Sequence, residues 1–149
     1  MNNLQIEQLD KKLKKFNKLN SVKPLSGWIF ATRKALGMSL KQLGDKMGMT
    51  AQSVKEMEQR EYDGTIGLNI LNEAAKALGL KLTYGFSTTN QTLEQIIQNQ
   101  ARIKAKQIVL RTNKSMSLEN QANSKARIKR AINEQATEIA NKRPKYLWD

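Results

Sequence analysis

Residues 39 to 58, Ser-Leu-Lys-Gln-Leu-Gly-Asp-Lys-Met-Gly-Met-Thr-Ala-Gln-Ser-Val-Lys-Glu-Met-Glu, constrain this chain more than any other stretch, because two helix starts and a forced turn fall close together. Ser39 is a good N-cap for a first helix whose apolar positions Leu40, Leu43 and Met47 share one face. Gly48, directly after Met47, supplies the left-handed residue that ends that helix. Thr50 then caps a second helix. That helix buries Val54 and Met57 and turns Gln52, Ser53, Lys55, Glu56 and Gln59 outward. Amide, hydroxyl and ammonium groups on one exposed helical face suit the edges of nucleic-acid bases.

Two short helices set at a tight turn, with Gly44 small, Gly48 at the turn, Val54 and Met57 apolar and Glu58 following, resemble the Xre-type helix-turn-helix of phage repressors. The likeness runs over residues 27 to 86. It implies that Gln52 and Ser53 read base edges at the start of the second helix, while Lys41, Lys55 and Arg60 meet phosphates. Thr50, Glu56 and Gln59 complete the expected DNA-binding set. Charge points the same way: 26 Lys and Arg stand against 13 Asp and Glu, a net +13 and a pI near 10.1. A chain this basic attracts polyphosphate through counterion release.

At 149 residues the chain has room for one compact domain plus an extension. No apolar run is long enough to span a bilayer, and the start lacks the shape of a signal peptide, so a cytoplasmic protein is expected. The chain has no Cys and no His. Thiolate metal sites and the commonest general base are therefore missing, and the acidic residues form no paired constellation. A binding protein without metal or cofactor, rather than an enzyme, is the expectation.

Residues 3 to 19 space Leu4, Ile6, Leu9, Leu13, Phe16 and Leu19 as an amphipathic helix with lysines between them. Those lysines could track a DNA backbone or simply solvate an outer face. Pro24 and Gly27 mark a linker. From Trp28 to Leu36 a helix is expected, with Trp28, Ile29, Thr32 and Leu36 toward the core. Leu68, Leu71, Ala74, Ala75 and Leu78 form another, closed by Gly79. Residues 80 to 86 alternate as a strand would. A lone strand needs a partner, either the same strand of a second copy across a two-fold axis or a short segment such as 21 to 24. The first choice makes a homodimer on a palindromic operator.

Thr92 and Gln95 form a capping box for a helix through Ile96, Ile97, Ile103, Ile108 and Val109 toward Thr112. A last helix carries Ile128, Ile132, Ala136, Ile139 and Ala140 until Pro144 stops it. Tyr146, Leu147 and Trp148 are expected to dock onto these helices. Residues 87 to 149 hold 12 Lys and Arg against 5 Asp and Glu, which suggests further phosphate contact or a partner with an acidic face.

Between the two long helices, Ser115-Met-Ser-Leu-Glu119-Asn120 matches [S/T]-x-x-x-E-[G/N], the inhibitory motif of antitoxins that silence Fic-domain enzymes. On a helix Ser115 and Glu119 share a face, and Asn120 tolerates the left-handed conformation that ends one. The chain as a whole resembles the family called mobile mystery protein A, whose members are encoded beside a Fic-domain protein. The shared residues are Leu9-Asp-Lys-Lys-Leu13, Gly27-Trp28, Leu36-Gly-Met-Ser-Leu-Lys-Gln-Leu-Gly44, Met116 to Glu119 and Leu147-Trp-Asp149. The family's usual Gly or Asp after the glutamate is Asn120 here.

The resemblance implies a bacterial antitoxin that represses its own operon and forms a toxin-antitoxin heteromer. In it, Glu119 would pair with the partner's arginine that otherwise holds the ATP γ-phosphate. The alternative is a plain dimeric Xre-type repressor without a Fic partner. The expected fold is mainly α: a lambda-repressor-like helix-turn-helix bundle with one short β-strand and a C-terminal helical extension. Its expected parts are residues 1–26, an N-terminal helix and linker; residues 27–86, the DNA-binding domain; and residues 87–149, the Fic-inhibitory region.

Overall fold

A computed structural model describes residues 3–19, 22–112 and 121–149. Seven α-helices follow one another among these residues: α1 (Asn3–Phe16), α2 (Trp28–Ala35), α3 (Leu40–Met47), α4 (Ala51–Asp63), α5 (Leu68–Ala77), α6 (Leu93–Thr112) and α7 (Gln121–Lys142). Short 3-10 turns occupy Asn17–Leu19 and Lys145–Trp148. The chain divides into two compact units, one of Lys15–Ser87 and one of Met1–Lys14 with Thr88–Asp149. The mainly helical architecture agrees with the sequence pattern, and the first unit is an Xre-like helical bundle.

In the Lys15–Ser87 unit, α2 to α5 enclose a core of Ile29, Leu43, Val54, Met57, Ala74 and Leu78. Each helix ends where local chemistry stops it. Gly48, Gly64 and Gly79 take φ of +68°, +77° and +76° after α3, α4 and α5, a region open to glycine at little cost. Two expected core residues instead face outward: Trp28 is 48% exposed and Leu36 57%. Leu36 is the C-cap residue that follows the last turn of α2, and Trp28, on the first turn, lines an apolar groove of about 330 Å³.

Residues 80–86 form no strand. After the Leu80 N–H bonds to the Ala75 carbonyl at 2.8 Å, the backbone runs on without a ladder partner among the described residues. Alternation alone makes no strand, since the ladder's hydrogen bonds must come from a second segment. Gly85 instead lies against the Phe16 ring, where a Cβ would come within 2.5 Å of ring carbon. The Ser87 hydroxyl hydrogen-bonds the Asn17 side-chain oxygen at 2.8 Å.

The other unit is built on the antiparallel pair α6 and α7. Ala101 and Ala105, both fully buried, meet Ile139 and Leu147. Small residues let the two helices approach closely, so the seam runs through alanines while Ile103 is left 53% exposed. The start of α6 is doubly capped. Thr92 and Gln95 exchange side-chain bonds with each other's backbone N–H at 3.1 and 2.9 Å, and Asp10 of α1 accepts from the Leu93 N–H at 2.7 Å. A carboxylate there is also favoured by the helix dipole. On α1 only Ile6 is buried, with Leu13 and Phe16 half-buried. Leu4 and Leu19 fall off that stripe by helical geometry and are exposed. In the C-terminal turn Leu147 is buried and its carbonyl accepts from Gln100 at 2.9 Å, whereas Tyr146 and Trp148 are 45% and 59% exposed. Docking thus rests on one residue of the three expected.

Candidate nucleic-acid interface

Helices α3 and α4 are set at a fixed angle by their caps and by one missing side chain. Ser39 accepts from the Gln42 N–H at 3.1 Å while Gln42 Oε1 accepts from the Ser39 N–H at 2.7 Å, a reciprocal capping box. Thr50 Oγ1 accepts from the Ser53 N–H at 3.1 Å to start α4. Between them, the Met49 N–H bonds to the Gly44 carbonyl at 2.9 Å. A Cβ on Gly44 would lie 2.4 Å from the Met49 carbonyl oxygen. The turn therefore closes this tightly only over a glycine.

The inner face of α4 is held by charge as well as by packing. Val54, Met57, Glu58 and Glu61 are its buried residues. Glu58 takes both Arg33 Nε, at 2.5 Å, and Arg33 Nη2, at 3.0 Å, a bidentate pair in which both side chains are more than nine-tenths buried. Arg33 Nη1 completes the set by donating to the Met38 carbonyl at 2.9 Å. The hydrogen bonding of Arg33 to Glu58, opposed by burial and aided by the carboxylate's charge, raises the Arg33 pKa further above its ordinary value. Glu61 accepts from the N–H groups of Trp28 and Ile29 at 2.7 and 2.8 Å. It thereby caps α2, whose own N-cap residue Gly27 has no side chain to do so. Two carboxylates thus tie α2 to α4, and neither was expected in the core. Their signal was in the spacing: positions 54, 57, 58 and 61 form one helical stripe, so Glu58 and Glu61 fall on the buried side.

On the opposite side of α4, Gln52, Lys55, Glu56, Gln59 and Arg60 are all exposed, as are Thr50 and Lys41. Ser53 is half-buried, and its hydroxyl lies 2.9 Å from that of Thr50, so it belongs to the cap as well as to the face. Gln52 Nε2 donates to Glu56 at 3.3 Å and Gln59 Nε2 to Asp63 at 3.0 Å, one turn apart along the helix. Lys41 is paired with Asp45 at 2.9 Å, an exposed bridge of small energetic weight that a phosphate could displace. Beside this face, Phe30, Lys34, Ser39, Lys41 and Lys55 line an open cleft over the Arg33–Glu58 pair. Lys34 is a cation of this cleft that the sequence pattern did not single out. It lies one residue beyond the buried Arg33, so only the end of α2 aims it there.

Ser115, Glu119 and Asn120 lie outside the described residues. No described group of three or more Asp, Glu, His or Cys could hold a metal ion. No described helix is long and apolar enough to cross a membrane. Residues 29–85 match the family model described as helix-turn-helix, so an Xre-type helix-turn-helix domain occupies that segment and the chain contains a DNA-binding module. No curated protein and no solved structure matches the chain.

Proposed function

We propose that the protein is a sequence-specific regulator that binds duplex operator DNA through the exposed face of α4. The observation that carries this is the face itself: amide and ammonium groups stand outward on a helix whose inner side is fixed by the buried Arg33–Glu58 pair and by Glu61. Gln52, near the N-terminus of α4, is assigned to a base edge, since a side-chain amide pairs with adenine through two hydrogen bonds. Its bond to Glu56 is long at 3.3 Å and leaves the amide free to turn. Lys41, Lys55 and Arg60, with Lys34, are assigned to phosphates. Gln52→Ala should weaken the cognate operator by about 1 to 3 kcal/mol while leaving random duplex binding unchanged. Titrating both duplexes at one salt concentration tests this, and equal loss on both would reduce Gln52 to a backbone contact.

A dimer on a palindromic site is part of the same proposal. Leu80, Tyr84 and Phe86 are 52%, 71% and 82% exposed on the unpaired 80–86 segment, beside the groove of Trp28, Leu71 and Leu82. Tyr84→Ser with Phe86→Ser should convert a dimer to a monomer in sedimentation. A wild-type monomer at micromolar concentration would remove this part of the proposal.

We further propose, on the motif and the family resemblance, that the protein is an antitoxin for a Fic-domain AMP-transferase. Glu119 would occupy the arginine that binds the ATP γ-phosphate, and Ser115 and Asn120 would shape the segment that presents it. Glu119→Gly should leave operator binding and co-purification with the partner intact while AMP transfer from labelled ATP resumes. If the variant silences the enzyme as well as wild type does, the motif has no inhibitory role and the protein is a repressor alone.

A further inference from the structure

The α6–α7 pair is polarised in charge along its length. From Arg102 to the end of α6, and from the start of α7 to Arg130, the helices carry eight Lys and Arg and no Asp or Glu. The acids of these helices, Glu94, Glu134 and Glu138, all lie toward the other end. A bond of 3.0 Å from Arg102 Nη2 to Asn133 Oδ1 sets the antiparallel register, so the two cationic stretches run side by side.

Lys106, Arg111, Lys125, Arg127, Lys129 and Arg130 are all exposed. The ion pairs among the described residues are Arg33–Glu58, Lys41–Asp45 and Lys142–Glu138, and none involves these six. Lys125 and Lys129 are one helical turn apart, as are Arg127 and Arg130. Like charges at that spacing cost each helix stability instead of adding to it. Rotation by 100° per residue sets the Lys pair on the same side of α7 as the core stripe and the Arg pair on the far side, so charge covers much of the helix surface.

We infer that this end of the α6–α7 pair is a second nucleic-acid surface, one that holds the phosphodiester backbone of duplex DNA without reading sequence. The chemistry of what is missing selects this ligand. From residue 87 to 145 the chain has no Phe, Tyr or Trp. The two helical stretches themselves therefore offer no aromatic platform on which single-stranded bases could stack. Along its described part the surface also carries no aromatic or Met side chain of the kind that anchors the centre of protein interfaces, and Ile103 and Leu110 are the only large apolar side chains exposed there. Clustered, exposed cations that have no ion-pair partner among the described residues fit a regular array of phosphates, whose counterions they release. The inference does not depend on how α4 reads its operator.

The test replaces Lys125, Arg127, Lys129 and Arg130 together by Gln in the full-length protein, a change that keeps helix propensity and alters only exposed side chains. Binding to a random-sequence duplex is titrated across salt concentrations, with polyglutamate as a second probe. The slope of log K against log salt should fall by about 3 to 4 and affinity at low salt by about a hundredfold or more. Arg127→Lys with Arg130→Lys, which retains charge, should bind as wild type does. Unchanged duplex slope and affinity in the Gln variant would overturn the inference. So would loss confined to polyglutamate, which would assign the surface to an acidic protein. Operator discrimination, measured separately with Gln52→Ala, reports on α4 alone, so the two proposals fail independently.

Discussion

Arg33→Leu should destabilise the helix-turn-helix unit by about 3 to 5 kcal/mol, because it leaves the Glu58 carboxylate buried without its bidentate partner. The size follows from asymmetry. The desolvation of Glu58 is already complete in the folded unit, and removing Arg33 takes away what offsets it. The Met38 carbonyl loses its donor in the same step. Arg33→Leu with Glu58→Leu should recover most of the loss, since two apolar side chains can fill the site between α2 and α4 with no charge left to solvate. The two units of the chain need separate reporters, and the protein has two Trp, at positions 28 and 148, one in each unit. A Trp148→Phe background makes Trp28 fluorescence the probe for urea unfolding of the helix-turn-helix unit. A single variant as stable as the parent would show that the pair is dispensable. A double variant no better than the single would show that shape, and not charge, sets the cost. The operator arm separates stability from function: the double variant should fold, and its affinity then measures how far the ion pair orients α4.

What could be read from the sequence follows the range of the interactions. The capping residues Ser39, Thr50 and Thr92, and the stops at Gly48, Gly64 and Gly79, act over three or four positions, and each forms the helix end that its chemistry dictates. The outward side chains of α4 follow from Val54 and Met57 alone, since one buried pair fixes the helix's rotation. Long-range partners were not legible in this way. Glu58 and Glu61 look like solvated charges until Arg33 and the bare N-terminus of α2 are brought against them, 25 and 33 positions away in sequence. In the α6–α7 seam Ile139 is buried as its spacing predicts, and Ile97, Ile108 and Ile132 pack against it, but Ala101 and Ala105 are the members that α6 buries fully, because close approach rewards small residues as much as large ones. The 80–86 alternation has the side-chain pattern of a strand, whereas a strand is defined by a backbone partner that pattern cannot supply.

Gly44→Ala should cost operator affinity more than any surface substitution on α4, although Gly44 touches no DNA in the proposed arrangement. The added Cβ would sit 2.4 Å from the Met49 carbonyl oxygen and 3.3 Å from the Thr50 carbonyl carbon, both backbone atoms that no rotamer change can move. Relief requires the turn to open, which carries Thr50 and the start of α4 with it. Overpacking of this kind costs about 1 to 3 kcal/mol of stability. The effect on binding should be larger in proportion, because Gln52 must meet its base edge within hydrogen-bond distance and a shift of the helix start by an ångström breaks that contact. Gly48 supplies the control. Its φ of +68° strains an alanine, but a Cβ there meets nothing within 4 Å. Gly48→Ala should therefore cost about 1 to 2 kcal/mol in backbone strain while leaving discrimination between operator and random duplex intact in the folded fraction. Gly48→Asn should recover much of that loss, since Asn accepts the left-handed conformation. Comparing the two glycines at a temperature where all variants are folded separates steric closure of the turn from its backbone conformation. If Gly44→Ala discriminates as well as wild type, the turn has slack that its backbone contacts do not suggest, and the angle between α3 and α4 is then not what aims Gln52.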